Sequence, residues 1–229
     1  MYSRSYPYRH RSPFLAVAAL IGAALVTSIG SAARAQSLNI DFGGAVGSVA
    51  STFGAAAGQV GTWNLISTPD VTPNLLGLNG VATAVSLNLP FSANLDLSGS
   101  DGLGVDPDID GLRGDNFFMN SPSLWSFELD NLVDGAYDVY VYSPTNPGVS
   151  TGDFTVNAIP VANISGNEAD TLVEGEDWVK IPGVVTLGGK LFFQQTGFDL
   201  DHPNFAGIAG VQIVTAGSLP PTLEAGGHP

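Results

Sequence analysis

Five aspartates lie close together between positions 101 and 115 of this chain, namely Asp101, Asp106, Asp108, Asp110 and Asp115. Three of them precede Gly111 in the pattern D-x-D-x-D-G, with which calcium loops begin, because alternate carboxylates turn toward one cation and glycine permits the bend. The closing acid of a twelve-residue loop is missing, since Phe117 stands there. The segment is therefore either a solvated connection between strands or a structural calcium site with the ligands Asp106, Asp108, Asp110 and Asp115.

Aromatic residues beside loops are candidates for sugar binding. Trp63 follows a glycine loop, where its ring can stack on a sugar face while Asn64 bonds a hydroxyl; the alternative is an aromatic plug beneath the loop. Tyr142 shares a strand face with Tyr140 and forms either a sugar platform or a contact with the second sheet or with a covering loop. Trp178 begins a strand and fits either role.

A second polar group precedes the last strand. Asp199 and His202 lie in the run "GFDLDHPNFAG", where they are candidates for binding a metal or a sugar hydroxyl. One histidine does not make a metal site, so a polar loop is the alternative interpretation.

Catalysis is weakly indicated. The residues Gly148–Gly152 match G-x-S-x-G, but a nucleophile elbow needs a strand before it and a helix after it, and a strand pattern follows here. A glycosidase needs only two facing carboxylates, and 21 acids make such a pair uninformative. We therefore predict a protein that is not an enzyme; the alternative is a small polysaccharide-acting enzyme.

The N-terminus predicts export. Residues 1–12 are basic, Phe14–Val26 is an unbroken apolar run, and Ala33–Ala35 forms an A-x-A cleavage site, the features of a secretory signal peptide. The run is too short to span a bilayer, which needs about 20 residues. We expect cleavage after residue 35, no membrane span afterwards, and a secreted protein at an extracellular, cell-surface or periplasmic location.

Charge and composition exclude several classes of partner. The formal net charge is −14, and cleavage leaves three cations against 21 acids. Such a field repels nucleic acid and anionic membranes. The chain has no cysteine, so a hydrophobic core, helped by calcium if it binds, has to stabilise it.

Alternation with a period of two residues recurs along the chain and predicts short strands. Trp125, Phe127 and Leu129 share one face of a strand, as do Tyr137 and Val139 of the next. Turn residues separate the strands, and Gly188–Gly189 marks a hairpin. The pattern predicts an all-β antiparallel β-sandwich or jelly roll over residues 36–216, after the signal peptide 1–35 and before a disordered tail 217–229.

Three stretches carry a family resemblance: "FGAAAGQVGTWN", "LDNLVDGAYDVYVYSP" and "FAGIAGVQIV". Together they resemble exported bacterial proteins, mostly uncharacterised, with galactose-binding-like or malectin-like β-sandwich domains. Such proteins often end in a Pro-Glu-Pro sorting tail, whereas this chain ends in "TLEAGGHP". The resemblance implies carbohydrate binding.

The predicted function is therefore a secreted, non-catalytic module that binds a glycan or polysaccharide. The alternative is a structural or adhesive protein of the cell surface or extracellular matrix, which assembles through its acidity and exposed sheet edges.

Overall fold

Fourteen strands and one short helix form the regular structure of the residues described by the computed structural model, which are 36–43, 48–89, 94–96, 106–120, 124–145, 149–166, 171–197 and 205–217. These residues belong to one compact unit, Ala35–Pro229; the other unit is Met1–Arg34. In chain order the elements are β1 (Leu38–Phe42), β2 (Trp63–Ile66), β3 (Val71–Thr72), β4 (Ser86–Asn88), β5 (Asn94–Asp96), α1 (Pro107–Arg113), β6 (Asn116–Asn120), β7 (Ser126–Asp130), β8 (Gly135–Tyr142), β9 (Phe154–Val156), β10 (Ile159–Val161), β11 (Trp178–Thr186), β12 (Leu191–Gln195), β13 (Phe205–Ile208) and β14 (Gly210–Thr215).

The strands form three sheets. A five-stranded sheet has the order β11-β8-β14-β1-β2, a six-stranded sheet has the order β10-β9-β12-β7-β4-β3, and a small sheet has the order β13-β6-β5. Among the described residues, all pairings between two of these strands are antiparallel except β1 with β2, which is parallel; isolated parallel bridges join Ser150 to Ala206 and Glu174 to Trp178. The predicted all-β class is confirmed.

One hydrophobic core joins the two larger sheets, because each strand turns alternate side chains inward. Phe127 of the six-stranded sheet stacks on Phe193 with ring centroids 4.3 Å apart, and it also packs edge-on against Phe42 of the five-stranded sheet at 5.3 Å. The inward residues predicted on β8, Tyr137 and Val139, are fully buried. The fold is therefore sandwich-like, with an outer face on each large sheet.

The turn residues act as their types predict. Gly188 and Gly189 have positive φ angles of 71° and 72° in the turn between β11 and β12, which glycine adopts without strain. Asn157 and Ala158 also have positive φ, 46° and 65°, in the two-residue turn between β9 and β10. That combination is typical of a type I′ hairpin turn.

The aspartate run is helical, which differs from the expected loop. Asp106 is the N-cap of α1 and its carboxylate accepts from the Asp108 N–H at 2.9 Å, while Pro107 occupies the first turn and Arg113 the last. An N-cap acid, a proline in the first turn and a basic residue in the last turn all favour a helix. The helical conformation of Pro107–Arg113 therefore agrees with these local signals and not with the loop that the D-x-D-x-D-G pattern suggested.

Candidate functional site

The outward side chains of β4, β7 and β12 form a continuous surface on the six-stranded sheet, which we call the open face. Its members are Asn88, Ser126, Glu128, Phe192 and Gln194. In the strand register Asn88 is opposite Glu128, and Glu128 is opposite Phe192. Since neighbouring strands lie about 4.8 Å apart, this row of three side chains spans about 10 Å.

Phe192 is the aromatic residue of the open face. Its side chain is 38% exposed, whereas its neighbours Leu191 and Phe193 are fully buried on the opposite side of β12. A hollow of about 210 Å³ is lined by Asn88, Ser126, Phe127, Glu128 and Phe192. An exposed ring beside amide, hydroxyl and carboxylate groups provides both an apolar contact and hydrogen-bonding groups to a ligand.

Lys190 holds the acids of the open face in place. Its Nζ lies 2.5 Å from Glu128 Oε1 and 2.6 Å from Asp130 Oδ1. Hydrogen bonds to Asp130 and Glu128 raise the pKa of Lys190. One ammonium group therefore pairs with Glu128, which lines the hollow, and with Asp130, two residues further along β7.

Asn157 fixes the backbone at Phe192. Its Oδ1 accepts from the Phe192 N–H at 2.8 Å, and its own N–H donates to the Phe192 carbonyl at 2.9 Å. Its amide nitrogen donates to the carbonyls of Val185 and Lys190. Side chains on strands anchored in this way are well positioned for binding.

The outer face of the five-stranded sheet differs, because other segments lie on it; we call it the covered face. Its members are Asn39, Asp41, Trp63, Tyr140, Tyr142, Trp178 and Gln212. Residues 49–56 and α1 supply the apolar side chains that pack there, including Val49 and Leu112.

Tyr142 lies in a buried hydrogen-bond network on the covered face. Its hydroxyl donates to Gln212 Oε1 and accepts from the Ala56 N–H at 2.9 Å. Gln212 in turn donates to Asn39 Oδ1 at 3.0 Å, and Gln59 donates to the same oxygen at 2.8 Å. Burial raises the pKa of Tyr142. The structure thus matches the interpretation in which a loop covers this tyrosine.

Trp63 and Asn64 are not brought to one surface, because consecutive strand residues point to opposite faces. The Trp63 indole donates to the Phe53 carbonyl at 3.2 Å beneath the covering segment. The Asn64 amide donates to the carbonyls of Asn39 and Leu76 and accepts from the Leu76 N–H at 2.7 Å. Asn64 is buried, and both ends of its side chain have backbone partners, so it fastens the edge of the sheet.

Trp178 is partly buried against Tyr140, with ring centroids 5.7 Å apart. Its indole nitrogen is buried and has no hydrogen-bond partner. Lys180 Nζ lies 5.5 Å from the centroid of the Tyr140 ring, and it also pairs with Asp138 at 2.7 Å. Burial raises the pKa of Asp138, but hydrogen bonds from Lys180 and the Gly183 N–H outweigh it and leave that pKa lowered.

The aspartates predicted as metal ligands have separate positions. Asp106 caps α1, and Asp108 Oδ1 accepts from the Ala50 N–H at 2.6 Å. Asp110 lies within the helix, while Asp115 is fully buried beyond its end. Asp199 and His202 lie outside the described residues.

A buried ion pair anchors α1 to the segment before β11. Arg113 Nη2 lies 2.7 Å from Asp177 Oδ1, and both side chains are completely buried. The Arg113 Nε also donates to the Ser143 carbonyl at 3.1 Å.

Two polar residues beneath α1, which were not predicted as site residues, are buried without hydrogen-bond partners. Asp41 is 1% exposed and neither carboxylate oxygen has a hydrogen-bond partner; Asn116 is also 1% exposed and neither amide atom has one. Burial, reinforced by the charge of Asp115, raises the pKa of Asp41 well above its ordinary value. The only signal in the sequence was an aspartate inside a strongly apolar strand.

Neither protein-family models nor curated proteins match this chain. In the part of the chain that the structure describes, no helix is long and apolar enough to cross a membrane. The features that bear on the function are therefore the exposed and the buried side chains of the open face and the covered face.

Proposed function

We propose that the protein is a secreted, non-catalytic carbohydrate-binding module with a jelly-roll, galactose-binding-like sandwich, and that the open face binds the glycan. The observation that carries the proposal is the exposed Phe192 ring, set on a sheet among Asn88, Glu128 and Gln194. The apolar face of a sugar packs on an aromatic ring, while its hydroxyls bond amide and carboxylate groups.

The dimensions of the open face support a short oligosaccharide as the ligand. The row from Asn88 to Phe192 spans about 10 Å, which is comparable to the length of two linked sugar rings. The net charge of −14 favours a neutral glycan over an acidic one, since the protein's field repels anions.

Binding rather than hydrolysis is supported by the way the acids are held. Glu128 and Asp130 both pair with Lys190. A glycosidase needs one carboxyl group as an acid and another as a base or nucleophile, whereas here both carboxylates are engaged by the same ammonium group. Ser150, the serine of the G-x-S-x-G match, is fully buried.

A glycan array screened with the purified protein, followed by calorimetry on the best oligosaccharide, tests the proposal. We expect saturable binding that Phe192→Ala weakens at least tenfold, since about 1.4 kcal/mol corresponds to tenfold and a central aromatic contact is worth more. Leu187→Ala is the matched control because Leu187 is 80% exposed and lies outside the open face. Absence of saturable binding, or equal losses in both variants, would refute the proposal.

The second candidate function is a structural or adhesive surface protein. The nine-residue strand β11 is an edge of the five-stranded sheet, and Val185 on it is 55% exposed. Exposed apolar edges favour strand pairing between molecules, but Pro182 and a register irregularity between Ile181 and Val184 interrupt this edge. Concentration-dependent assembly that Val185→Lys prevents, without glycan binding, would favour this function.

A further inference from the structure

The end of β1 and the start of β6 lie beside the same stretch of chain, Ile208–Gly210, at which β13 is followed by β14. Both strands run antiparallel to that stretch: Asp41 of β1 is opposite Gly210 of β14, and Phe117 of β6 is opposite Ile208 of β13. The Phe42 N–H donates to the Ala209 carbonyl at 2.8 Å, between the two. The topology therefore brings Asp41 and Asn116 to one junction.

Asp115 also lies at this junction. A Cβ atom on Gly43 would be 1.9 Å from the carboxyl carbon of Asp115, so only glycine leaves room for that carboxyl group. A Cβ atom on Gly207 would similarly be 2.9 Å from Asn116 Oδ1. Two glycines thus make space for an acid and an amide beside the end of β1.

The polar atoms of the junction are costly as they stand. A buried carboxylate without hydrogen bonds or an opposite charge is strongly unfavourable, and a buried amide without partners costs several kcal/mol by transfer measurements, roughly 2–7. The side-chain polar atoms of Asp41 and Asn116 are buried and have no hydrogen-bond partner. Arg113, two residues before Asp115, pairs with Asp177 and donates to the Ser143 carbonyl.

We propose that Asp41, Asp115 and Asn116 bind a calcium ion at this junction. Two carboxylates balance the charge of the ion, and the amide oxygen is a third hard ligand; backbone carbonyls and water complete the six to eight oxygens that calcium takes. Among the described residues no group of three His, Cys, Asp or Glu side chains could hold a metal ion, so the proposed site needs the Asn116 oxygen as its third side-chain ligand. This site goes beyond glycan binding and is independent of it.

The ion has a structural consequence. It ties β1 to β6 and to the end of α1, because Asp115 follows that helix directly, and Leu112 of α1 packs over Gly210, with its Cδ1 2.7 Å from where a Cβ would be. Calcium would therefore fasten α1 onto the covered face. Its ligands differ from those predicted from the sequence, of which only Asp115 is shared; one carboxylate oxygen each of Asp106 and Asp108 accepts a backbone N–H.

Calorimetry and thermal melting of the chelator-treated protein test this proposal. We expect one calcium per chain and a melting temperature that rises by about 5–10 °C at calcium a hundredfold above Kd. Asp41→Asn should weaken calcium binding at least tenfold. Asn116→Ala retains both carboxylates and should also weaken it, which keeps the test informative if Asp41→Asn does not fold. Asp108→Asn is the control and should bind calcium like the native protein.

Three results would overturn the proposal. The first is the absence of saturable calcium binding. If Asp41 and Asp115 share a proton instead, Asp41→Asn should also raise the melting temperature of the metal-free protein. Another is binding that Asp108→Asn abolishes and Asp41→Asn does not. Tighter binding of Mg²⁺ than of Ca²⁺ would contradict the identity of the ion.

Discussion

The two outer faces of this protein use similar residue types for different purposes. On the covered face, Tyr142 and Trp63 lie beneath another segment and hydrogen-bond to buried groups. On the open face, Phe192 and the amides of Asn88 and Gln194 have no segment packed over them in the part of the chain that the structure describes. Aromatic and amide side chains on a strand therefore indicate a binding surface only where no other part of the chain covers them.

The largest effect should come from the ion pair that anchors the covered face. Asp177→Ala leaves the buried Arg113 guanidinium without its carboxylate, which typically costs 3–5 kcal/mol. Urea denaturation should show a loss of that size in the free energy of unfolding. The control is Lys180→Ala, which breaks the partly exposed pair with Asp138 and should cost less than about 1 kcal/mol. Equal losses would mean that the covered face is not fastened by this pair.

A smaller loss is expected in the buried network. Tyr142→Phe removes the hydroxyl that donates to Gln212 and accepts from the Ala56 N–H, so two buried groups lose a partner. We expect a cost of about 1–3 kcal/mol in the same assay. Tyr140→Phe is the matched control, since Tyr140 is only partly buried, and it should stay within about 0.5 kcal/mol. An unchanged free energy of unfolding in Tyr142→Phe would show that these hydrogen bonds do not stabilise the segment that covers this face.

The smallest effect concerns pH. The pKa of Asp138 is lowered from 3.8 and that of Lys180 is raised from 10.5. The pair therefore adds stability between these values, and loses it as pH falls below 3.8 through the folded-state pKa of Asp138 or rises above 10.5 through that of Lys180. The difference in melting temperature between native protein and Lys180→Ala should shrink at both extremes. A difference that grows below pH 3.8 would contradict this sign.

The strands could be predicted from the sequence because alternation is a local property. Phe127, Leu129, Tyr137 and Val139 point inward as predicted. The helix α1 was not predicted, although its capping signals are also local, because the spacing of the aspartates resembled a calcium loop.

The location of the site could not be predicted in this way. The alternation in "LNIDF" is consistent with Asn39 and Asp41 lying opposite the core, but only the tertiary structure shows that α1 and residues 49–56 cover that face. Phe192 was not predicted as a site residue either. Alternation places the two adjacent phenylalanines of "KLFFQQ" on opposite faces of the strand, but it does not show which of the two is exposed. Their burial differs completely, 38% exposed against 0%.

The most direct test of the difference between the faces compares Phe192→Ala with Trp63→Ala in calorimetry, using the oligosaccharide selected on the array. We predict that Phe192→Ala weakens binding at least tenfold with little change in melting temperature, because its ring is exposed. Trp63→Ala should lower the melting temperature and leave the affinity unchanged. The opposite result, in which Trp63→Ala abolishes binding and Phe192→Ala does not, would place the ligand on the covered face and contradict the account.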